Sequence, residues 1–91
     1  MTNDEFKTQI EAWLVVIETA GIRQPNGRPF PQQAFHVFFG VGLSTFKKMV
    51  SGQSSIREIQ PYTARAVELA RLLPEQAFLD QAKKALDEYI Q

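Results

Sequence analysis

The chain has 91 residues, enough for one domain with a single modest hydrophobic core. Its hydrophobic content of 44% is typical of a globular chain and excludes a disordered one, and no apolar run is long enough to span a membrane. The lack of cysteine excludes disulfides and thiolate metal sites, and the formal net charge of zero argues against a generic polyanion binder.

The charge is distributed unevenly along the chain. No acidic residue occurs between Thr19 and Arg57, a stretch that carries +5, whereas residues 1–18 carry −3 and residues 58–91 carry −2. The acidic start differs from the basic start of a signal peptide, so we expect a cytoplasmic protein. A polyanion is expected to dock on the middle segment, whose basic residues are Arg23, Arg28, Lys47, Lys48 and Arg57.

Residues 3–20 have the periodicity of an amphipathic helix, because apolar side chains recur at steps of three and four. Thr2 or Asn3 is suited to cap its start, and Gly21 follows where a helix often ends. The expected buried face consists of Phe6, Ile10, Trp13, Leu14 and Ile17, widened by Val16 and Ala20.

Residues 21–30 predict a loop, since two prolines remove backbone donors and Asn26-Gly27 favours a turn. Such a loop is compatible with a tight hairpin. Two short helices are then predicted at 31–39 and 43–51, separated by Gly40-Val41-Gly42. Their expected apolar sides are Ala34, Phe35, Phe38 and Phe39 in the first helix and Phe46, Met49 and Val50 in the second.

Two longer helices are predicted in the last third of the chain, at 61–73 and 75–90, preceded by a helical turn near 56–60 with a capping-box spacing. No strand is expected. The predicted fold class is all-α, a compact bundle of about five helices forming a single domain. The expected buried stripes are Tyr62, Ala66, Leu69, Ala70 and Leu73 in the first long helix and Phe78, Ala82, Leu86, Tyr89 and Ile90 in the second.

The segment 31–52 carries the one pattern with specific spacing. Gly40 tolerates the positive φ that a tight turn between two helices requires, and the side chain of Val41 is expected to fill the space between them. The run Gly40-Val41-Gly42-Leu43-Ser44-Thr45-Phe46 resembles the Cro/C1 (lambda repressor-like, Xre-type) helix-turn-helix family. The resemblance extends over residues 31–73 and includes Gly52, which follows the second helix of the motif.

Two positions depart from the family pattern. His36 stands four residues before the turn glycine, where the family has a small residue, so it is expected to spread the two helices or to tilt outward. Gly42 replaces the serine that usually caps the second helix, which is expected to lower the stability of that helix by a few tenths of a kcal/mol.

The resemblance implies a sequence-specific DNA-binding transcriptional regulator, a repressor or autoregulator of a phage, plasmid or bacterial operon, with double-stranded DNA as its partner. Arg23 and Arg28 are expected to contact the DNA backbone or a narrow minor groove, and Arg57 the flanking strand. The implied base contacts are Leu43, Ser44 and Lys47, and the implied phosphate contacts are Gln32, Lys48 and Ser51.

The alternative function is a small protein-binding adaptor or inhibitor on the same scaffold, antitoxin-like or phage-encoded. The dense phenylalanine cluster (Phe30, Phe35, Phe38, Phe39 and Phe46) forms either a core or, in part, an exposed patch for a protein partner. The helix at 75–90 either closes the core against residues 3–20 or pairs with its copy in a homodimer, as small regulators commonly do.

No enzymatic role is expected. His36 is the sole histidine, and no Cys, Asp or Glu lies between residues 19 and 57 to complete a metal site around it. No nucleophile motif surrounds the serines. We therefore expect neither catalytic residues nor cofactor or metal, and interpret His36 as a packing or surface residue.

Overall fold

The computed structural model describes residues 1–51 and 59–91. Arg57 and Gly52 therefore lie outside the described residues, as does most of the helical turn predicted near 56–60. The two described residues of that turn, Ile59 and Gln60, are not helical. Gln60 instead has extended backbone angles (φ −53°, ψ 141°) directly before the next helix.

The described ranges form an all-α fold with five α-helices and no strand, which confirms the predicted class. A single turn of 3-10 helix, Gln32–Ala34, precedes the second of these helices. The helices are α1 (Asn3–Thr19), α2 (Phe35–Phe39), α3 (Leu43–Ser51), α4 (Pro61–Arg71) and α5 (Glu75–Ile90).

Helix α1 begins with a capping box. The Glu5 amide donates to Thr2 Oγ1 at 3.2 Å, and the Thr2 amide donates to Glu5 Oε1 at 3.1 Å. The backbone bond from Thr2, followed by its side-chain bond, holds the pKa of the Glu5 carboxyl below its ordinary value. Thr2 is thus the capping residue, and the side chain of Asn3 is available for a contact elsewhere.

The loop after α1 forms a tight hairpin, with which its sequence is compatible. The Gly27 amide donates to Gln24 O at 2.9 Å, the Gln24 amide donates to Arg28 O at 2.9 Å, and Arg23 and Pro29 form an isolated antiparallel bridge. Gly27 takes the positive φ of 86° that this turn requires. The loop therefore has a defined, hydrogen-bonded conformation, and it leads the chain directly towards α2.

An aromatic core holds the helices together, with Trp13 of α1 at its centre. The Trp13 ring lies 5.3 Å from Phe78 of α5 and 6.1 Å from Phe35 of α2, measured between ring centroids. Phe6 meets Phe46 of α3 edge-on at 6.0 Å. The predicted face of α1 is confirmed for Phe6, Ile10, Trp13 and Ile17, with Leu14 and Val16 partly buried, but Ala20 is exposed beyond the last helical turn.

The phenylalanine cluster divides into two groups. Phe30, Phe35 and Phe46 are buried in the core, whereas Phe38 and Phe39 are only half-buried. The core interpretation is confirmed for these three residues, and Phe38 and Phe39 pack against the core from its edge, while a patch for a protein partner stays a prediction. In α3 the predicted inner residues Phe46 and Met49 are buried, and Val50 is partly buried.

The predicted buried stripe of α4 is wrong by one residue position. Ala70 is buried as expected, but Tyr62, Leu69 and Leu73 are exposed, and Ala66 is only half-buried. The residues that face the core are Thr63, Val67 and Ala70.

Two tertiary contacts join α4, and the residues just before it, to the start of the chain. Arg71 lies one turn after Val67 on the same face, and its Nε donates to Gln9 Oε1 of α1 at 2.6 Å. At the other end, the amide of Ile59 donates to Met1 O at 2.9 Å. Both contacts accompany the orientation in which the smaller apolar residues of α4 face the core.

Helix α5 closes the core. Its predicted residues Phe78, Ala82 and Leu86 are buried, and Leu79 and Ala85 are buried with them. Tyr89 is half-buried, and the terminal Ile90 is 42% exposed, contrary to expectation, because no element in the described ranges covers the end of the helix. Helix α5 packs mainly on α2 and reaches α1 through Phe78 and Trp13.

Within residues 1–51 and 59–91, no helix is both long enough and apolar enough to cross a bilayer. The same ranges contain no cluster of three or more His, Cys, Asp or Glu side chains able to hold a metal ion.

Candidate nucleic-acid interface

The turn between α2 and α3 is a Schellman motif centred on Gly40. Gly40 has φ 69° and ψ 30°, its amide donates to Val37 O at 3.1 Å, and the Val41 amide donates to His36 O at 2.9 Å. Val41 is buried, in agreement with its expected place between the helices. The chain therefore leaves α2 sharply and starts a new helix within three residues.

His36 stabilises this turn. Its Nδ1 lies 3.0 Å from Val41 O, and since a carbonyl oxygen only accepts, Nδ1 carries the proton and donates it. The ring also meets Tyr89 of α5 edge-on, with centroids 5.8 Å apart. The half-buried imidazole is thus accommodated between the turn and α5, as a packing residue whose polar atom is satisfied.

Helix α3 is fixed on its inner side. The Phe46 amide donates to Gly42 O at 2.9 Å, which makes Gly42 the residue that precedes the first helical turn. Phe46 and Met49 are fully buried, and Asn3 Nδ2 donates to Met49 O at 2.8 Å, satisfying a carbonyl in the last turn of α3. The buried side of the helix is therefore held against α1.

The outer side of α3 is exposed and cationic. Ser44, Lys47 and Lys48 are all exposed, and in the described ranges neither lysine forms an ion pair with an acidic side chain. Leu43 is half-buried at the start of the helix. Ser51 is exposed at its end, where its hydroxyl donates to Lys48 O at 3.4 Å.

The other residues implied as phosphate contacts have different surroundings. Gln32 is half-buried in the 3-10 turn ahead of α2. Arg28 is exposed at the hairpin, where the Asn26 side chain accepts from its amide at 3.0 Å. Arg57 lies outside the described residues.

Arg23 is held by the loop itself. Its guanidinium pairs with Glu18 at the end of α1, and Nη1 donates to Gly27 O at 3.2 Å. Both charged side chains remain partly exposed, so the pair is accessible to solvent. The hairpin therefore offers one acid-paired arginine and one arginine at its exposed tip.

Lys7 is a basic residue of α1 that the count of charges by segment did not single out. It belongs to the acidic first segment, but it lies one helical turn after Asn3, on the side of α1 that contacts α3. Lys7 is exposed. Asp4 and Glu5 line a groove with Arg71 that does not include Lys7. Only the helix-periodic spacing from Asn3, read together with the contact of Asn3 to α3, identifies Lys7.

Neither a protein-family model, nor a curated protein, nor a solved structure matches this chain.

Proposed function

We propose that the chain is a sequence-specific DNA-binding transcriptional regulator, in which α2 and α3 form a helix-turn-helix and α3 enters the major groove. The observation that carries the proposal is the pair of exposed lysines, Lys47 and Lys48, on the outer side of α3. In the described ranges no acidic side chain pairs with either lysine, and the core holds the opposite side of the helix.

The positions of the side chains suggest how the contacts divide. Ser44 and Lys47 point outward from the first turns of α3 and are assigned to base edges together with Leu43, since lysine donates to the O6 and N7 atoms of guanine. Lys48 and Ser51 are assigned to phosphates, which set the register of the helix on the duplex.

Residues outside α3 extend this assignment. Gln32 and Arg28 supply further phosphate contacts, and Lys7 adds a positive charge from α1. Arg23 can contact DNA only if it exchanges its bond to Glu18 for one to a phosphate. Its contribution to DNA affinity is therefore expected to be smaller than that of Arg28. Arg57 keeps its assignment to the flanking strand on the basis of the sequence alone.

The biological setting follows from the family resemblance: a repressor or autoregulator of a phage, plasmid or bacterial operon. Selection of bound duplexes from a random pool tests the sequence specificity directly. An enriched motif is expected, and recovery of unrelated sequences at the level of the unselected pool would contradict a specific regulator.

The cationic side of α3 is tested by titrating the protein with duplex DNA at several salt concentrations. Wild-type protein is expected to bind random duplex at roughly micromolar concentration in low salt. The double variant Lys47→Ala with Lys48→Ala removes up to about two phosphate equivalents from the slope of log K against log salt.

The single variant Lys47→Ala is measured as well, and Lys83→Ala is its matched control, because it removes one exposed lysine from α5, on the side next to Gly21. It is expected to bind DNA almost as the wild type does. If the folded double variant binds with unchanged affinity and slope, α3 is not the contact surface.

The second candidate function is the protein-binding adaptor, which the exposed apolar side chains of α4 favour. The same titration separates the two functions, since an adaptor is expected to leave duplex DNA unbound at low salt.

A further inference from the structure

Helix α2 is too short to fix its own direction. It has five residues, Phe35–Phe39, and isolated helices of that length are not stable in water. It begins directly after the 3-10 turn Gln32–Ala34 and ends at the tight turn of Gly40. The orientation of α2 therefore depends on contacts with other elements of the fold.

Tyr89, in the last turn of α5, contacts the chain at two places around the start of α2. Its hydroxyl donates to Gln33 Oε1 at 3.2 Å, in the 3-10 turn. Its ring meets the ring of His36 edge-on, with centroids 5.8 Å apart and an interplanar angle of 73°. Tyr89 is half-buried and packs against the core, so one side chain joins the end of α5 to both contacts.

The contact with His36 extends to the turn between α2 and α3. His36 Nδ1 donates to Val41 O at 3.0 Å, and the amide of Val41 donates to His36 O at 2.9 Å. These two residues are therefore linked through a side chain and through the backbone. Since Leu43 begins α3 two residues after Val41, the position of the imidazole affects the direction in which α3 leaves the turn.

The two tyrosines of the chain have different surroundings. Tyr62, at the start of α4, is 61% exposed, whereas the hydroxyl of Tyr89 has a side-chain acceptor 56 positions away in the sequence. A phenylalanine at position 89 would supply the same ring without this bond. The hydroxyl of Tyr89 therefore contributes the link to Gln33, and the ring contributes the contact with His36.

We infer that Tyr89 is a positioning residue for DNA binding, which acts through Gln33 and His36 without a contact to DNA of its own. Through Gln33 it fixes the 3-10 turn that contains Gln32, the residue assigned to a phosphate. Through His36 it fixes the turn that leads into α3. The inference rests on the proposed function, because it assigns the consequence of these contacts to the affinity for DNA.

Titration with duplex DNA at low salt tests the two contacts of Tyr89. Tyr89→Phe keeps the ring beside His36 and loses the bond to Gln33, so its dissociation constant for DNA is expected to rise about threefold. Tyr89→Ala loses both contacts and is expected to bind about tenfold more weakly than the wild type. Tyr62→Phe and Tyr62→Ala are the matched controls on the exposed tyrosine, and both are expected to bind as the wild type does.

A double-mutant cycle shows whether the hydroxyl acts through Gln33. In the background of Gln33→Ala, Tyr89→Phe is expected to cause no further loss of DNA affinity, because its acceptor is already absent. A general loss of stability would instead add to the effect of Gln33→Ala. Circular dichroism establishes that each variant is folded under the conditions of the titration, so an unfolded fraction does not account for a change in affinity.

Amide hydrogen exchange without DNA tests the same contacts independently of the proposed function. In Tyr89→Ala the amides of Gly40 and Val41 are expected to exchange about tenfold faster than in the wild type, while the amide of Trp13 in α1 keeps its rate. A general loss of stability would accelerate exchange at Trp13 as well. In Tyr89→Phe, which retains the ring, the amides of the turn are expected to change little.

Equal DNA affinity of the Tyr89 and Tyr62 variants would overturn the inference. Additive effects in the cycle with Gln33, or unchanged exchange at Gly40 and Val41 in the alanine variant, would also overturn it. Failure of the proposed function gives a different result, since the wild type itself would then leave duplex DNA unbound.

Discussion

Among single residues, Gly40 determines where the chain turns between α2 and α3. Its positive φ of 69° belongs to a region that residues with a Cβ rarely adopt. A Cβ added at Gly40 meets no atom within 4 Å, so backbone strain is the whole cost of a substitution there. The neighbouring Gly42 has equal space but no positive φ.

The two glycines are therefore expected to respond oppositely to substitution. Gly40→Ala is expected to lower the free energy of unfolding by about 1–2 kcal/mol, because alanine is strained in the left-handed region. Gly42→Ser is expected to raise it by a few tenths of a kcal/mol, since a serine side chain caps the first turn of α3. Urea denaturation measures both, and equal stability of the alanine variant and the wild type would contradict the strain argument.

His36 illustrates how the surroundings of a residue decide its role. From the sequence, a bulky residue at this position is expected to spread α2 and α3 or to tilt outward. Its Nδ1 donates to Val41 O at 3.0 Å, and the edge of its ring packs against Tyr89, so the imidazole joins the turn to α5. This hydrogen bond offsets the desolvation cost of placing Nδ1 in a partly buried position.

Among the helices, α3 owes its orientation to α1. The Asn3 side chain donates to Met49 O at 2.8 Å across 46 positions of sequence, and Phe6 packs against Phe46. These contacts hold the buried side of α3 and leave Lys47 and Lys48 outside. The geometry of the proposed DNA-binding surface is thus set by the first residues of the chain.

Removing the Asn3 amide is expected to loosen the last turn of α3. Asn3→Ala leaves a part-buried carbonyl unsatisfied, at a cost of about 0.5–1.5 kcal/mol. Amide hydrogen exchange is expected to accelerate in the last turn of α3 more than in α5. Asn3→Asp is the matched variant, because a carboxylate keeps the size but cannot donate, so it is expected to behave like alanine. Normal exchange in both variants would show that the bond does not hold α3.

For the molecule as a whole, the aromatic core around Trp13 joins helices from both ends of the chain. Trp13 of α1 contacts Phe35 and Phe39 of α2 and Phe78 of α5. Because a domain of this size has one modest core, loss of these contacts affects the whole fold at once.

Trp13→Ala is expected to lower the free energy of unfolding by about 3–5 kcal/mol, which is a large part of the total stability of a small domain. Trp13→Phe retains an aromatic ring and is expected to cost clearly less. Thermal unfolding of both variants is followed by circular dichroism, because loss of the sole tryptophan removes the intrinsic fluorescence probe. In the wild type, fluorescence and circular dichroism are expected to report one coincident transition. An alanine variant as stable as the phenylalanine variant would contradict the central role of this ring.

Local sequence signals were sufficient to predict the all-α class, the helices to within a few residues, the loop at 21–30 and the turn at Gly40. Apolar periodicity, caps and turn residues act over short distances along the chain. They did not determine which of two apolar stripes of α4 faces inward, since both have helical spacing and the choice depends on how α4 packs in the folded chain. The pairing of Arg23 with Glu18 likewise appeared only in the folded loop after α1. Charges counted along the chain do not reveal which of them become neighbours once the helices pack.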